Sequence, residues 1–165
     1  MLRLGIGIAA AALVVAGTAP AQAQGVLTHH DLSAATAIIM AETAIDTCTK
    51  NGYRVSVTVV DRQGETLLQV RGDNANPHTV ENSRRKAYTA RTFAIPSSEF
   101  QERVKADPGR WPQTTLPGII ALAGALPIKT GSEVIGAIGV SGSPGGDKDE
   151  ACAKAAMDKV ADQLK

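Results

Sequence analysis

Residues 125–141 read ALPIKTGSEVIGAIGVS, and this stretch decides the fold class. Ala125 to Thr130 and Val134 to Ser141 are apolar, β-branched runs separated by Gly131-Ser132, the chemistry of a tight hairpin turn. The second run is nearly continuous in its apolar character, which predicts a strand covered on both faces. Upstream, Val55, Val57 and Val59 alternate with Arg54, Ser56 and Thr58, Asp61-Arg62-Gln63-Gly64 turns the chain, and Thr66 to Arg71 resumes it as a second β-hairpin.

Helical periodicity surrounds the hairpins. Thr28 with Asp31 has capping-box spacing, and Leu32, Ala35, Ile38, Ile39, Ile45 and Cys48 recur at three- and four-residue steps until Asn51-Gly52 stops the chain, so the spacing predicts a helix over 28–51. Residues 78–94 form a second helix rich in basic side chains, ended by Pro96, and 97–106 a short third one. Residues 107–118 hold Pro108, Pro112 and Pro117 and are irregular. Asp147 with Glu150 repeats the capping spacing before a final helix with an inner face of Ala153, Ala156, Met157, Val160 and Leu164. The order α-β-β-α-α-β-β-α, with two hairpins, predicts an α+β domain, an antiparallel sheet packed with helices, and not a doubly wound parallel sheet.

At the N-terminus, Met1 to Arg3 is a basic start, Leu4 to Gly17 an uncharged apolar run and Ala21-Gln22-Ala23 a small-residue exit. This is the pattern of a secretory signal over 1–23, leaving a single domain over 24–165 that is periplasmic or secreted. The apolar run is shorter than the roughly 20 residues a membrane-spanning helix needs, and nothing after Gly25 would span a bilayer. Of 17 Lys and Arg, Arg3 leaves with the signal, so 16 basic residues face 16 acidic ones. That balance, with few aromatic residues, excludes a nucleic-acid partner. Export also places Cys48 and Cys152, the two cysteines, where disulfides persist; a bridge would close a loop of roughly 100 residues, the other outcome being two buried thiols.

Sites of chemistry are sparse. The glycines of 136–146 lie between strand and helix, yet no G-x-G-x-x-G falls at that turn and no G-K-[ST] follows, so close packing explains them better than phosphate binding. Ser141 lacks a nucleophile elbow, His29, His30 and His78 include no pair spaced for zinc on one helix face, and C-x-x-C-H is missing. There remains Asn76-Pro77-His78-Thr79 followed by Arg84, Arg85, Lys86 and Arg91. An imidazole at a helix start can ligate iron, and guanidinium groups pair with carboxylates such as haem propionates. The plain alternative is a solvated charged helix face.

Together, LTHHDLSAATAI (27–38), VSVTVVDRQGETLLQVRGDN (55–74), SRRKAYTART (83–92) and LPGIIALAGALPIKTGSEVIGAIGVSGSPGGDKDEACAKAAM (116–157) resemble the GlcG/HbpS-like haem-binding or haem-degrading proteins over nearly the whole domain. The resemblance implies a central antiparallel sheet, symmetric homo-oligomers and non-covalent haem, with His78 or one of His29 and His30 supporting the iron and Arg84, Arg85 and Lys86 facing the propionates. Ala125-Leu126 replaces a glycine-rich lead-in of the family, and the proline-rich 107–117 insert carries Trp111. Some members accompany glycolate-oxidation genes, which implies the alternative of an enzyme or accessory acting on a small hydroxy or keto acid; a ligand-free assembly module is the third reading. No general base with a partner is visible, which favours binding over catalysis.

Overall fold

The computed structural model describes residues 25–165; the secretory signal expected over 1–23 lies outside the described residues. The elements are α1 (Ala34–Lys50), β1 (Ser56–Val60), β2 (Thr66–Arg71), α2 (His78–Phe93), α3 (Ser97–Ala106), a 3-10 segment (Pro108–Thr115), β3 (Ala125–Thr130), β4 (Glu133–Ser141), α4 (Gly146–Lys159) and a closing 3-10 turn (Ala161–Leu164). The fold is α+β, as the two hairpins require. The four strands form one antiparallel sheet in the order β2-β1-β4-β3. The hairpins join through β1 and β4, paired from Ser56 with Ser141 to Val60 with Ala137.

Alternation along β1 sends Val57 and Val59 into the main core with α1 and α4, where they meet Met40, Ala44, Ile138, Val140, Ala153 and Ala156. The polar members of the same strand do not face water. Ser56 and Thr58 are fully buried against α2, their hydroxyls bonded to Thr79 (2.7 Å) and Ser83 (2.8 Å). Helix α2 therefore covers the second sheet face with a small, polar surface, and Ala87 and Ala90 complete it against Val60, Ala125 and Ala137. All five residues of β1, and Ile135 to Ser141 of β4, are buried, as expected of strands sandwiched between helix layers.

Two helix starts differ from the sequence reading. Helix α1 begins at Ala34, capped by Ser33, whose Oγ accepts from the Thr36 amide at 3.1 Å, and not at Thr28. Asp31 instead receives a hydrogen bond from Arg62 (3.3 Å), and Leu32 enters the core from extended chain. The buried stripe of α1 is correspondingly Thr36, Ala37, Met40, Ala41, Ala44 and Cys48, while Ile38 and Ala35 are exposed. Small side chains let α4 approach closely, which decides the face that is buried. Helix α4 starts after Gly145 with no side-chain cap; its acidic residues are used otherwise, Asp149 in a buried ion pair and Glu150 as acceptor of the Ser98 hydroxyl.

Cys48 and Cys152 form a disulfide between α1 and α4, with Cα atoms 5.7 Å apart. Among the described residues no helix is long and apolar enough to cross a membrane.

Candidate functional site

The start of α2, the end of β4 and the Gly142–Gly146 loop enclose a polar cavity of about 400 Å³. Positions 78, 82 and 86 are one and two helical turns apart, so His78, Asn82 and Lys86 share one face of α2 and all line it. Thr79, Ser143 and Asp149 contribute further polar groups, while Leu122, Ala123 and Pro144 are its apolar contacts.

Lys86 supplies the structural centre of this wall. It is only 4% exposed, and its Nζ donates to Asp149 Oδ2 at 2.8 Å and to the Val140 carbonyl at 3.1 Å. The other carboxylate oxygen, Asp149 Oδ1, accepts from the Ser143 amide (3.0 Å) and the Ser143 hydroxyl (2.5 Å). A buried charge must be paired and hydrogen-bonded to be tolerated. The network meets that condition by tying α2, β4, the glycine loop and α4 to one point. Gly124 keeps room for it, since a Cβ there would lie 2.8 Å from Lys86 Nζ.

Of the other sequence candidates, His78 is exposed at the rim of the cavity. Arg84 and Arg85 do not line it. Arg84 forks onto Glu81, Nε to Oε2 at 2.9 Å and Nη2 to Oε1 at 2.8 Å, and this hydrogen bonding holds the Glu81 carboxyl below the usual carboxylate range. Arg85 donates to the Ile119 carbonyl at 2.5 Å and lines a separate cavity of about 300 Å³ beside Trp111 and Leu122. His29 is exposed, and His30 contacts Glu133 at 2.8 Å. Glu133 starts β4 and Ser141 ends it, so His30 sits roughly 26 Å along the strand from the cavity. The structure thus brings His78 and Lys86 together and separates them from the other four residues. Asn82, Ser143 and Asp149 escaped the sequence reading; the four-residue step from His78 would have found Asn82, but nothing local points from Lys86 to Asp149.

A family model described as "Haem degrading protein HbpS-like" matches residues 32–158. The chain belongs to the HbpS-like family. Protein GlcG of Escherichia coli K12 is 35% identical over 92 residues, 56% of this chain and 67% of GlcG. The crystal structure of a double mutant of Streptomyces reticuli HbpS is 36% identical, with a TM-score of 0.78, covering 87% of this chain and 98% of that one. A crystal structure of a PduOC–haem complex, 21% identical with a TM-score of 0.72 over 78% of this chain and 94% of its own, shares the fold.

The exposed His78 puts an imidazole on the cavity rim, with Leu122, Ala123 and Pro144 as apolar surface beside it, a chemistry that fits an iron ligand and part of a porphyrin contact. The Lys86 charge is already balanced by Asp149.

Proposed function

We propose that this HbpS-like protein is an exported haem-binding protein, serving haem capture, sensing or degradation, with His78 as the iron ligand. The observation that carries the reading is the placement of His78, exposed on the rim of the α2–glycine-loop cavity next to Leu122 and Ala123, in a chain of this family. Bound haem supplies an iron centre with an open coordination position for a protein nitrogen. The protein's part is to hold the imidazole on a rigid helix start and to present Asn82 and the Lys86–Asp149 network behind it. Neither Arg84 nor Arg85 serves the propionates from this cavity, and His29 and His30 are too far along the sheet to share the iron with His78. The leader-like residues 1–23 and the Cys48–Cys152 bridge support a periplasmic or secreted location. Exposed Trp111, Leu116 and Leu122 support a homo-oligomer contact.

Haemin titrated into the purified protein is expected to give a saturable Soret shift at micromolar concentration, with the band weakened and displaced in His78→Ala. A shift unchanged in that variant removes His78 as ligand, and no shift in either protein removes haem. The polar lining and modest size of the cavity favour a second reading, a small hydroxy or keto acid. Its mark would be saturable binding of glycolate in the absence of haemin.

A further inference from the structure

Against the proline-rich insert lies a cavity that the His78 site does not use. Helix α2, the 3-10 segment Pro108–Thr115 and the irregular residues 119–122 enclose about 300 Å³, the lower end of the range of small-molecule sites. Its wall is mainly apolar, with Trp111, Ile120 and Leu122, and Arg85 is the sole charged side chain of that lining among the described residues.

Hydrogen bonds hold both sides of the cavity in place. Arg85 Nη2 donates to the Ile119 carbonyl at 2.5 Å, and one turn further along α2 the Thr89 hydroxyl accepts from the Ile120 amide at 2.9 Å, so the helix clips residues 119–120 at two points. The Thr114 hydroxyl donates to the Trp111 carbonyl at 2.7 Å and steadies the insert. Arg85 keeps donors to spare. Among the described residues its Nε and Nη1 have no acceptor, and neither is sealed from solvent. Glu81, a carboxylate close enough to feel this guanidinium, is forked by Arg84, and Lys86 is paired with Asp149. A part-buried guanidinium without a counter-ion, fixed beside an apolar wall, is complementary to an anion on an apolar body. The fork pairs with a carboxylate, and hydrocarbon covers Trp111, 64% exposed, and Leu122, 38% exposed.

We infer that the Arg85–Trp111 cavity binds a free carboxylic acid with an apolar body, its carboxylate accepting from Arg85 Nε or Nη1 and its hydrocarbon lying on Trp111, Ile120 and Leu122. The site stands apart from the proposed haem function: neither His78 nor Lys86 lines it, and the acid binds without iron.

Trp111 is the single tryptophan of the chain, so its emission reports on the cavity directly. Octanoate, octan-1-ol and octylamine, one tail with three heads, are titrated into the protein. Octanoate is expected to give a saturable blue shift with an affinity about tenfold above that of octanol, the increment of a charge-assisted hydrogen bond, and octylamine none. Arg85→Gln should weaken octanoate about tenfold and leave octanol unchanged. Leu122→Asp, at an exposed position, sets a carboxylate against that of the ligand and should abolish the octanoate response, which serves if Arg85→Gln is poorly folded. No saturable response to octanoate, equal affinity for the three heads, or undiminished octanoate affinity in both variants overturns the proposal. So does an emission already blue-shifted without ligand and unmoved by octanoate, which gives this surface to a second copy of the chain. An effect of Arg85→Gln on haemin alone gives the guanidinium to a propionate and overturns it too. Octanoate binding should persist in His78→Ala, so failure of the haem reading and failure of this one are told apart.

Discussion

At the scale of single residues, the burial of Lys86 is the feature with the largest consequence. In the run Arg84-Arg85-Lys86 all three cations read alike in one dimension, yet Arg84 holds Glu81 at the surface, Arg85 reaches a carbonyl and Lys86 is sealed within the fold. Helical geometry accounts for the difference: position 86 follows Ser83 by three residues and precedes Ala90 by four, and both belong to the buried face of α2. Lys86→Met should lower stability by about 3–5 kcal/mol, because Asp149 would keep its charge in the interior without a counter-ion. The double variant Lys86→Met with Asp149→Asn should recover part of that loss. Urea unfolding of the three proteins measures both effects; a single variant as stable as the parent would show that the pair is not buried in solution. The identity of Lys86's partner was not legible, since Asp149 lies 63 positions away and only the packing of α4 brings it near.

At the scale of elements, both hairpins were legible because side-chain alternation and turn residues are properties of adjacent positions. The beginning of α1 was not, since Thr28 and Ser33 are both competent caps and tertiary contacts of Asp31 and Leu32 decide between them. The glycines of β4 were read as packing glycines, and the contact they permit is the seat of α2 on the sheet. A Cβ on Gly139 would stand 2.2 Å from the Ser83 carbonyl oxygen and 2.7 Å from the Ala87 nitrogen, both backbone atoms of α2. Gly139→Ala must lift the helix from the strand and strain the Ser83–Thr58 hydroxyl contact. A loss of about 3 kcal/mol is expected, at the upper end of overpacking costs, and the shift in the urea midpoint checks it.

At the scale of the molecule, the disulfide joins the helices α1 and α4 across 104 positions, closing most of the domain into one loop. In the chain-entropy account such a closure contributes about 4–5 kcal/mol, so Cys48→Ser with Cys152→Ser should lower the thermal midpoint by many degrees. Scanning calorimetry of the parent and the double variant measures the difference. The sequence by itself determined the hairpins, the α+β order, the presence of four main helices and the candidacy of His78 and the cysteine pair, because period, caps and turns are written in near neighbours. Tertiary structure alone decided that β1 pairs with β4, that Ser56 and Thr58 face a helix and not water, that Lys86 finds Asp149, and that Arg85 and Trp111 line one cavity. Each of those contacts joins segments distant in the chain, and burial selects among side chains whose local patterns are the same.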